Sequence, residues 1–394
     1  MGIFRFLTAG ESHGKGLSII VEGVPAGLPL SEADIAVQLA RRQLGYGRGG
    51  RMKIEHDHAD IIAGVRHGLT LGSPIALYVQ NKDWENWREK MAVEPVEAPV
   101  ERVTRLRPGH ADLTGAIKYG FDDVRPVLER ASARETAARV AAGAVARRLL
   151  EEFGIDFHGH VISLGGVDAP PCETPDWERI EDSPVRCGDS ASEEAMIAAI
   201  NAAKHDGDTV GGVVEVRVSG VPIGLGSHVH WDRKLDGQIA QAICSINAFK
   251  GVQFGAGFGA TTGRGSQTHD VILPSESWNG HAWRHASNRH GGIVGGISTG
   301  EEIVVQGAVK PIPTLAHPLP SADLDTGKEV LAGYERSDVC VVPAAAVVAE
   351  AMVALVLAGA LLEKFGGDRL EETQRNYRAY MATIGPRAPE ASRP

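Results

Sequence analysis

Residues 341–362 constrain the fold of this 394-residue chain more than any other segment. They form an apolar, alanine-rich run interrupted only by Glu350, nearly long enough to cross a bilayer. The alanine content predicts a buried core helix rather than a membrane span. Pro343 suits the first turn of that helix. The run closes on Leu361-Leu-Glu-Lys-Phe-Gly366, which echoes Leu149-Leu-Glu-Glu-Phe-Gly154 at the end of a second alanine-rich helix. The echo raises an internal duplication as an expectation.

Other elements follow from local patterns. Residues 3–7 and 17–22 read as strands of a hairpin, with Gly10-Glu-Ser-His-Gly14 as its turn and His13 at the tip. Ser31-Glu-Ala-Asp34 predicts a capped helix start, and Gly45 its end. Residues 53–65 and 73–79 form a second strand pair, while 81–103, polar and charged, read as a surface excursion. Ser132-Ala-Arg-Glu135 has the spacing of another capping box. Helices are also expected over residues 192–204 and 235–245. Residues 1–394 are treated as a single domain, with 367–394 a partly flexible C-terminal extension.

Size alone guarantees a large core. A formal net charge of −10 and few aromatics, 5%, argue against a general nucleic-acid or membrane-surface binder. Four scattered cysteines have neither a C-x-x-C pair nor zinc spacing, as in reduced cytoplasmic proteins. The first residues lack the pattern of a secretory signal.

Against that acidic background, arginine and histidine concentrate in four segments marked by glycine, proline or a helix start. Gly10 to Gly14 matches the G-x-S-x-G nucleophile elbow, but a strand follows where an elbow needs a helix, so His13 is read as a proton donor. Gly45-Tyr-Gly-Arg-Gly-Gly50 matches the dinucleotide fingerprint by letter, yet follows a helix instead of a strand. What remains is Arg48 and Arg51 on small neighbours, able to approach an anion bidentately. In Arg107-Pro-Gly-His110 a rigid turn aims a cation and an imidazole. Ser132-Ala-Arg134 adds full charges to a helix N-terminus, a ready anion site. The pairs His56/His58, His158/His160 and His228/His230 each lack a local third ligand, so no metal is assigned.

Those segments, together with Asn81-Lys-Asp-Trp84, Lys118-Tyr-Gly-Phe-Asp-Asp123, Glu129-Arg-Ala-Ser-Ala-Arg-Glu-Thr136, His228-Val-His-Trp231, Gly291-Gly-Ile-Val-Gly-Gly-Ile297 and Glu335-Arg-Ser-Asp338, resemble the chorismate synthase family in order and from end to end. The resemblance implies a lyase converting 5-enolpyruvylshikimate 3-phosphate to chorismate and phosphate, a 1,4-elimination in the shikimate pathway that needs reduced FMN without net redox change. It implies an α+β fold, a β-α-β sandwich with long central helices between antiparallel sheets. A cytoplasmic homotetramer, monofunctional and supplied with reduced flavin from outside, is expected.

By the same resemblance His13 protonates the leaving phosphate, His110 protonates the reduced flavin, and Asp338 assists removal of the C6 proton through the flavin. Arg42, Arg48, Arg51, Arg107 and Arg134 match positions that hold substrate anions, and the positions of Arg42 and Arg48 are also associated with NADP. For FMN the matching positions are Ser132, Ala133, Arg134, Asn247, Ala248, Gly295, Lys310, Pro311, Ile312, Pro313, Thr314 and Arg336. Two stretches depart from the family pattern: Gly251-Val-Gln-Phe-Gly-Ala256 and Ser287-Asn-Arg-His290.

Overall fold

The chain lays down one order of elements twice. In this computed structural model, which describes residues 4–49, 57–97, 99–278, 281–335 and 338–385, the first set is β1 (Arg5–Ala9), β2 (Gly16–Glu22), α1 (Glu32–Gln43), β3 (Ala59–Ala63), β4 (Ile75–Gln80) and α2 (Thr136–Glu151). The second is β5 (Asp156–Leu164), β6 (Gly212–Ser219), α3 (Leu235–Cys244), β7 (Phe249–Phe254), β8 (Ile303–Val309) and α4 (Val342–Phe365). Each quartet forms an antiparallel sheet whose second and fourth strands are central: β1-β2-β4-β3 and β5-β6-β8-β7. A two-residue strand, Val167–Asp168, extends the edge of the second sheet.

Alternation decides which face each strand buries. Leu17, Ile19 and Val21 of β2 lie opposite Val79, Leu77 and Ile75 of β4, and all six are buried. Val214, Val216 and Val218 of β6 likewise face the core, opposite Gly307, Val305 and Ile303 of β8. α2 packs on the first sheet, α4 on the second, and the two helices on each other. α1 lies against α2, and α3 against α4. Gly143 sets the closeness of the central pair, because a Cβ there would stand 2.4 Å from Ala351 Cβ. The apolar run is therefore a core helix, buried over nearly its whole length.

The one charge in that run is matched with care. Glu350 receives Arg41 from α1 at 2.6 and 2.8 Å, Arg147 from α2 at 2.9 Å and the backbone N–H of Gly159 from β5 at 2.7 Å. Arg186 stands 3.6 Å away and joins Glu181 to the cluster. Burial alone would push the Glu350 carboxyl up, but Arg41, Arg186 and Arg147 hold it below its ordinary range. One carboxylate thus ties both central helices, α1 and the second sheet together.

Three expectations change. Residues 81–103 are more than a surface excursion: Asn81 is buried and donates to the Gly14 carbonyl at 2.8 Å, and the short helix Trp84–Trp87 covers the β1–β2 turn. The capping box at Ser132 does not close. Ser132 Oγ accepts from Arg134 N at 3.3 Å, but Glu135 bonds Thr8 and Arg139 instead, and a 3-10 turn, Ala133–Glu135, precedes α2. The C-terminal stretch contains a helix, α5 (Leu370–Met381), docked on α4, while residues 386–394 lie outside the described ones.

Glu350→Ala leaves one buried and two partly buried guanidinium groups without their shared partner and should cost about 3–5 kcal/mol, read as a lower denaturant midpoint. Acid should also weaken the fold at Glu181 and Glu215. Burial alone would raise both carboxyls, yet hydrogen bonds from Arg186 and Arg41, and from His160 and Arg217, lower them from 4.5 to about 2. Depressed carboxylates stabilise above their unfolded value, so this contribution is complete above pH 4.5 and lost as pH falls toward 2. Thermal melts across that window check it, and a flat profile would contradict it.

Candidate active site

Ser132–Arg134 is the hub of the site, because three separate segments fasten to the turn that opens α2. Ser132 Oγ donates to Ser12 Oγ at 3.1 Å, which ties in the β1–β2 turn. Arg42, in the last turn of α1, donates to the Ala133 carbonyl at 3.1 Å and to Thr136 Oγ1 at 2.9 Å. Asn247, just past the end of α3, donates from Nδ2 to the Ala131 carbonyl at 2.7 Å. The G-x-S-x-G resemblance of Ser12 ends here: the serine is buried in a strand-to-strand turn, with no helix behind it.

Around this hub lies a cluster of arginines. Arg42 and Arg134 share the buried carboxylate of Asp57, and Arg48 Nε stands 3.2 Å from Asp338 Oδ2. Asp338 Oδ1 also accepts the Gly49 N–H at 2.6 Å. Burial pushes Arg42 down to about 10, with Arg48 and Arg134 adding to the effect and Asp57 opposing it. Arg42 therefore stays charged near neutrality. Arg51 and Arg336 lie outside the described residues. Cys340, beside this cluster, is pushed up to about 11 by burial and remains a thiol near neutrality.

Two histidines flank the hub, each clamped by a carboxylate. His13 Nδ1 lies 2.9 Å from Glu129 Oε1, and its ring stacks on Trp87 with centroids 3.7 Å apart. Arg125 stands over the Trp87 ring and 3.3 Å from Glu129 Oε1. His110 Nδ1 lies 2.5 Å from Asp112 Oδ1. Arg107 donates to both oxygens of that aspartate, at 2.8 and 3.0 Å, and to Thr314 Oγ1 at 3.4 Å. Burial would raise Asp112, but His110 and Arg107 outweigh it and hold the carboxyl at about 2. Arg107 is thus committed to Asp112, with Thr314 and His110 as its further neighbours.

The second half of the chain closes the ring. Lys310 N donates to the Ala248 carbonyl at 3.0 Å, and Lys310 Nζ to the Gly109 carbonyl at 3.0 Å. Gly109 takes φ +78, a value only glycine adopts freely, and so turns His110 beside Arg107. Pro311 and Pro313 stiffen this connection, and Thr209 fixes the Ile312 carbonyl at 2.8 Å. Gly295 also has a positive φ, and a Cβ there would meet nothing within 4 Å. Hydrogen bonds therefore run unbroken from Asn247 and Ala248 through Lys310 to the His110 turn. The two stretches that depart from the family pattern touch each other, through Ala256 N and the Arg289 carbonyl at 2.7 Å.

A chorismate synthase family profile matches residues 4–362. The chorismate synthase of Moorella thermoacetica is 59% identical over 381 residues, covering 96% of this chain and 98% of that protein. The chain belongs to the chorismate synthase family. The Geobacillus thermodenitrificans chorismate synthase is 56% identical over 379 residues, with 94% and 97% covered. A crystal structure of a chorismate synthase aligns with TM-score 0.78 and 44% identity, over 96% of this chain and 97% of that one. Membership makes this chain a carbon–oxygen lyase that forms chorismate in the shikimate pathway.

Several residues of this chorismate synthase site escaped the sequence reading. Glu129, Asp57 and Asp112 have buried carboxylates, and a surplus of arginine and histidine needing partners was the physical signal for them. Trp87 sat in a stretch too polar to read as part of a site. Of the paired histidines, His158 meets Asp156, His160 meets Glu215, and His230 meets Asp232. Glu32, His58 and Asp60 bring ligand atoms within 4.8 Å of one another on the surface. His56 lies outside the described residues.

Inorganic phosphate should raise the melting temperature of this protein through the Arg42–Arg48–Arg134 cluster, and Arg48→Ala should remove most of that rise. An unchanged shift in the variant would take Arg48 out of the anion site.

Proposed function

We propose that this site binds 5-enolpyruvylshikimate 3-phosphate beside reduced FMN and eliminates phosphate without net redox change. The observation that carries the reading is the convergence of Arg42, Arg48 and Arg134 on one helix N-terminus that also fastens the His13 turn. The substrate carries a phosphate and two carboxylates, and guanidinium forks suit both groups. Asp57 and Asp338 keep the arginines aimed before the substrate arrives. NADP contacts at Arg42 and Arg48 are the weaker assignment, since Arg42 shares Asp57 with Arg134 and Arg48 pairs with Asp338 in the same cluster.

The flavin side fits as well. Asn247 Oδ1 is buried without a hydrogen-bond partner, a costly state that a ring N–H would relieve. Ala248 adopts φ +71, strained for a residue with a side chain, which is a sign of a backbone shaped for a ligand. Ser132, Ala133, Arg134, Asn247, Ala248, Gly295 and Lys310 to Thr314 would hold the cofactor, with Arg336 expected beside them. When bound, the reduced flavin supplies the electron density that lets phosphate depart. His13 delivers a proton to the leaving phosphate, His110 holds one toward the flavin edge, and Asp338 receives the proton lost from the substrate. Burial next to Lys250 lowers Lys310, so its charge responds to an anion nearby.

The repeated strand order, together with the matching helix ends at Phe153 and Phe365, supports an internal duplication arranged as a β-α-β sandwich. Exposed Leu7, Ile20 and Ile62 on the outer face of the first sheet support self-association, read here as the homotetramer. Four free cysteines fit the cytoplasm.

Phosphate release, followed without oxygen and with dithionite-reduced FMN, tests the reading, and no turnover would refute it. His13→Ala and His110→Ala should each slow turnover by at least ~10²-fold. Oxidised FMN should bind more tightly with substrate present, and Asn247→Ala should weaken it; flavin absorbance reports both.

A further inference from the structure

We propose that Glu129 and Asp112 are positioning carboxylates that fix His13 and His110 as Nδ1–H tautomers, so each ring exchanges protons through Nε2. The two units share one construction. Each carboxylate side chain is fully buried, and each histidine presents Nδ1 to it, at 2.9 Å for His13 and 2.5 Å for His110. An ionised carboxylate only accepts, so Nδ1 donates to it; at His110 the 2.5 Å contact with Asp112 outweighs the 3.0 Å approach of Arg107 Nη2 to the same nitrogen. An arginine completes each unit: Arg125 Nη1 at 3.3 Å from Glu129, and Arg107 Nη2 at 3.0 Å from Asp112. Burial would raise each acid, but its histidine first and its arginine second hold it below the ordinary carboxylate range. The ring of His13 is also held flat by Trp87, with centroids 3.7 Å apart.

The second oxygen of each acid makes the tautomer testable. Glu129 Oε2 accepts the backbone N–H of His13 at 2.7 Å. Asp112 Oδ2 accepts the backbone N–H of Arg107 at 3.2 Å and its Nε at 2.8 Å. In Glu129→Gln or Asp112→Asn, the amide oxygen stays with that backbone donor, which puts the NH2 in the place nearest Nδ1; at Glu129 that place is 2.9 Å from the ring nitrogen, against 3.1 Å for the other. Nδ1 then has to accept, and the proton moves to Nε2. Arg125 has a second acceptor in Glu335 at 3.4 Å, so it can yield to the new NH2 group. Each acid acts through its histidine.

The inference rests on the lyase reading for which protons move, but the tautomers themselves do not. Two-bond 1H–15N spectra of the full-length protein, labelled at histidine and recorded where the rings are neutral, read them directly. The wild type should show Nδ1–H at both residues, with Nε2–H at His13 in E129Q and at His110 in D112N. Each variant should lose at least ~10-fold in kcat, with a much smaller change in KM. E129Q placed on His13→Ala should cost nothing further, because Glu129 has lost the group it positions. Nε2–H at either histidine in the wild type overturns the proposal. So does a variant that keeps its tautomer and its kcat, or an added loss on the His13→Ala background. Should a variant fail to fold, the wild-type spectrum decides alone. If the wild type shows both Nδ1–H rings but forms no chorismate, the lyase reading fails and the positioning role stands.

Discussion

Burying one carboxylate in the middle of an apolar helix organises this molecule. Glu350 cannot leave water without counter-charges, and the groups that answer it come from α1, α2, β5 and the segment around Arg186. The cost of leaving any one unpaired forces those elements into a single arrangement. Arg41 therefore fixes the last turn of α1, and the next residue is Arg42, which reaches the start of α2. The charge network in the core and the anion cluster in the site are adjacent along one helix turn.

The same logic recurs at smaller scale across the site. Arginines are paired with buried acids, histidines with carboxylates, and the turns that carry them with backbone carbonyls. Such a site is organised before its ligands arrive, so little side-chain freedom is lost on binding. The acids also give a chain of net charge −10 a way to present local positive charge. Asp57 and Asp338 hold their guanidinium partners in place without cancelling the field over the whole cluster.

The doubled strand order explains where the site lies. The segments of the candidate site fall at corresponding places in the two halves: the exits of α1 and α3, and the approaches to α2 and α4. Arg42 and Arg48 leave α1, while Asn247 and Ala248 leave α3. Ser132–Arg134 lead into α2, while Asp338 leads into α4. Packing α2 against α4 through Gly143 joins the halves, and the site draws on both. A hairpin turn and a proline-stiffened loop then bring His13 and His110 to it.

Much of this was legible in the chain. Apolar periodicity, capping residues and glycine stops mark α1, α2, α3, α4 and the first hairpin, because those signals are local and act over a few residues. The ordered glycine, arginine and histidine segments identify the chemistry, since reaction type depends on which groups are present. Partnership was decided only by tertiary structure. Glu129 is 116 residues from His13, and Asp57 is 77 from Arg134, so no spacing rule connects them. Trp87 lies in a polar stretch that reads as surface, yet it is the face against which His13 is held. Side-chain type follows from sequence, but the pairing of buried charges follows from what the fold removes from water.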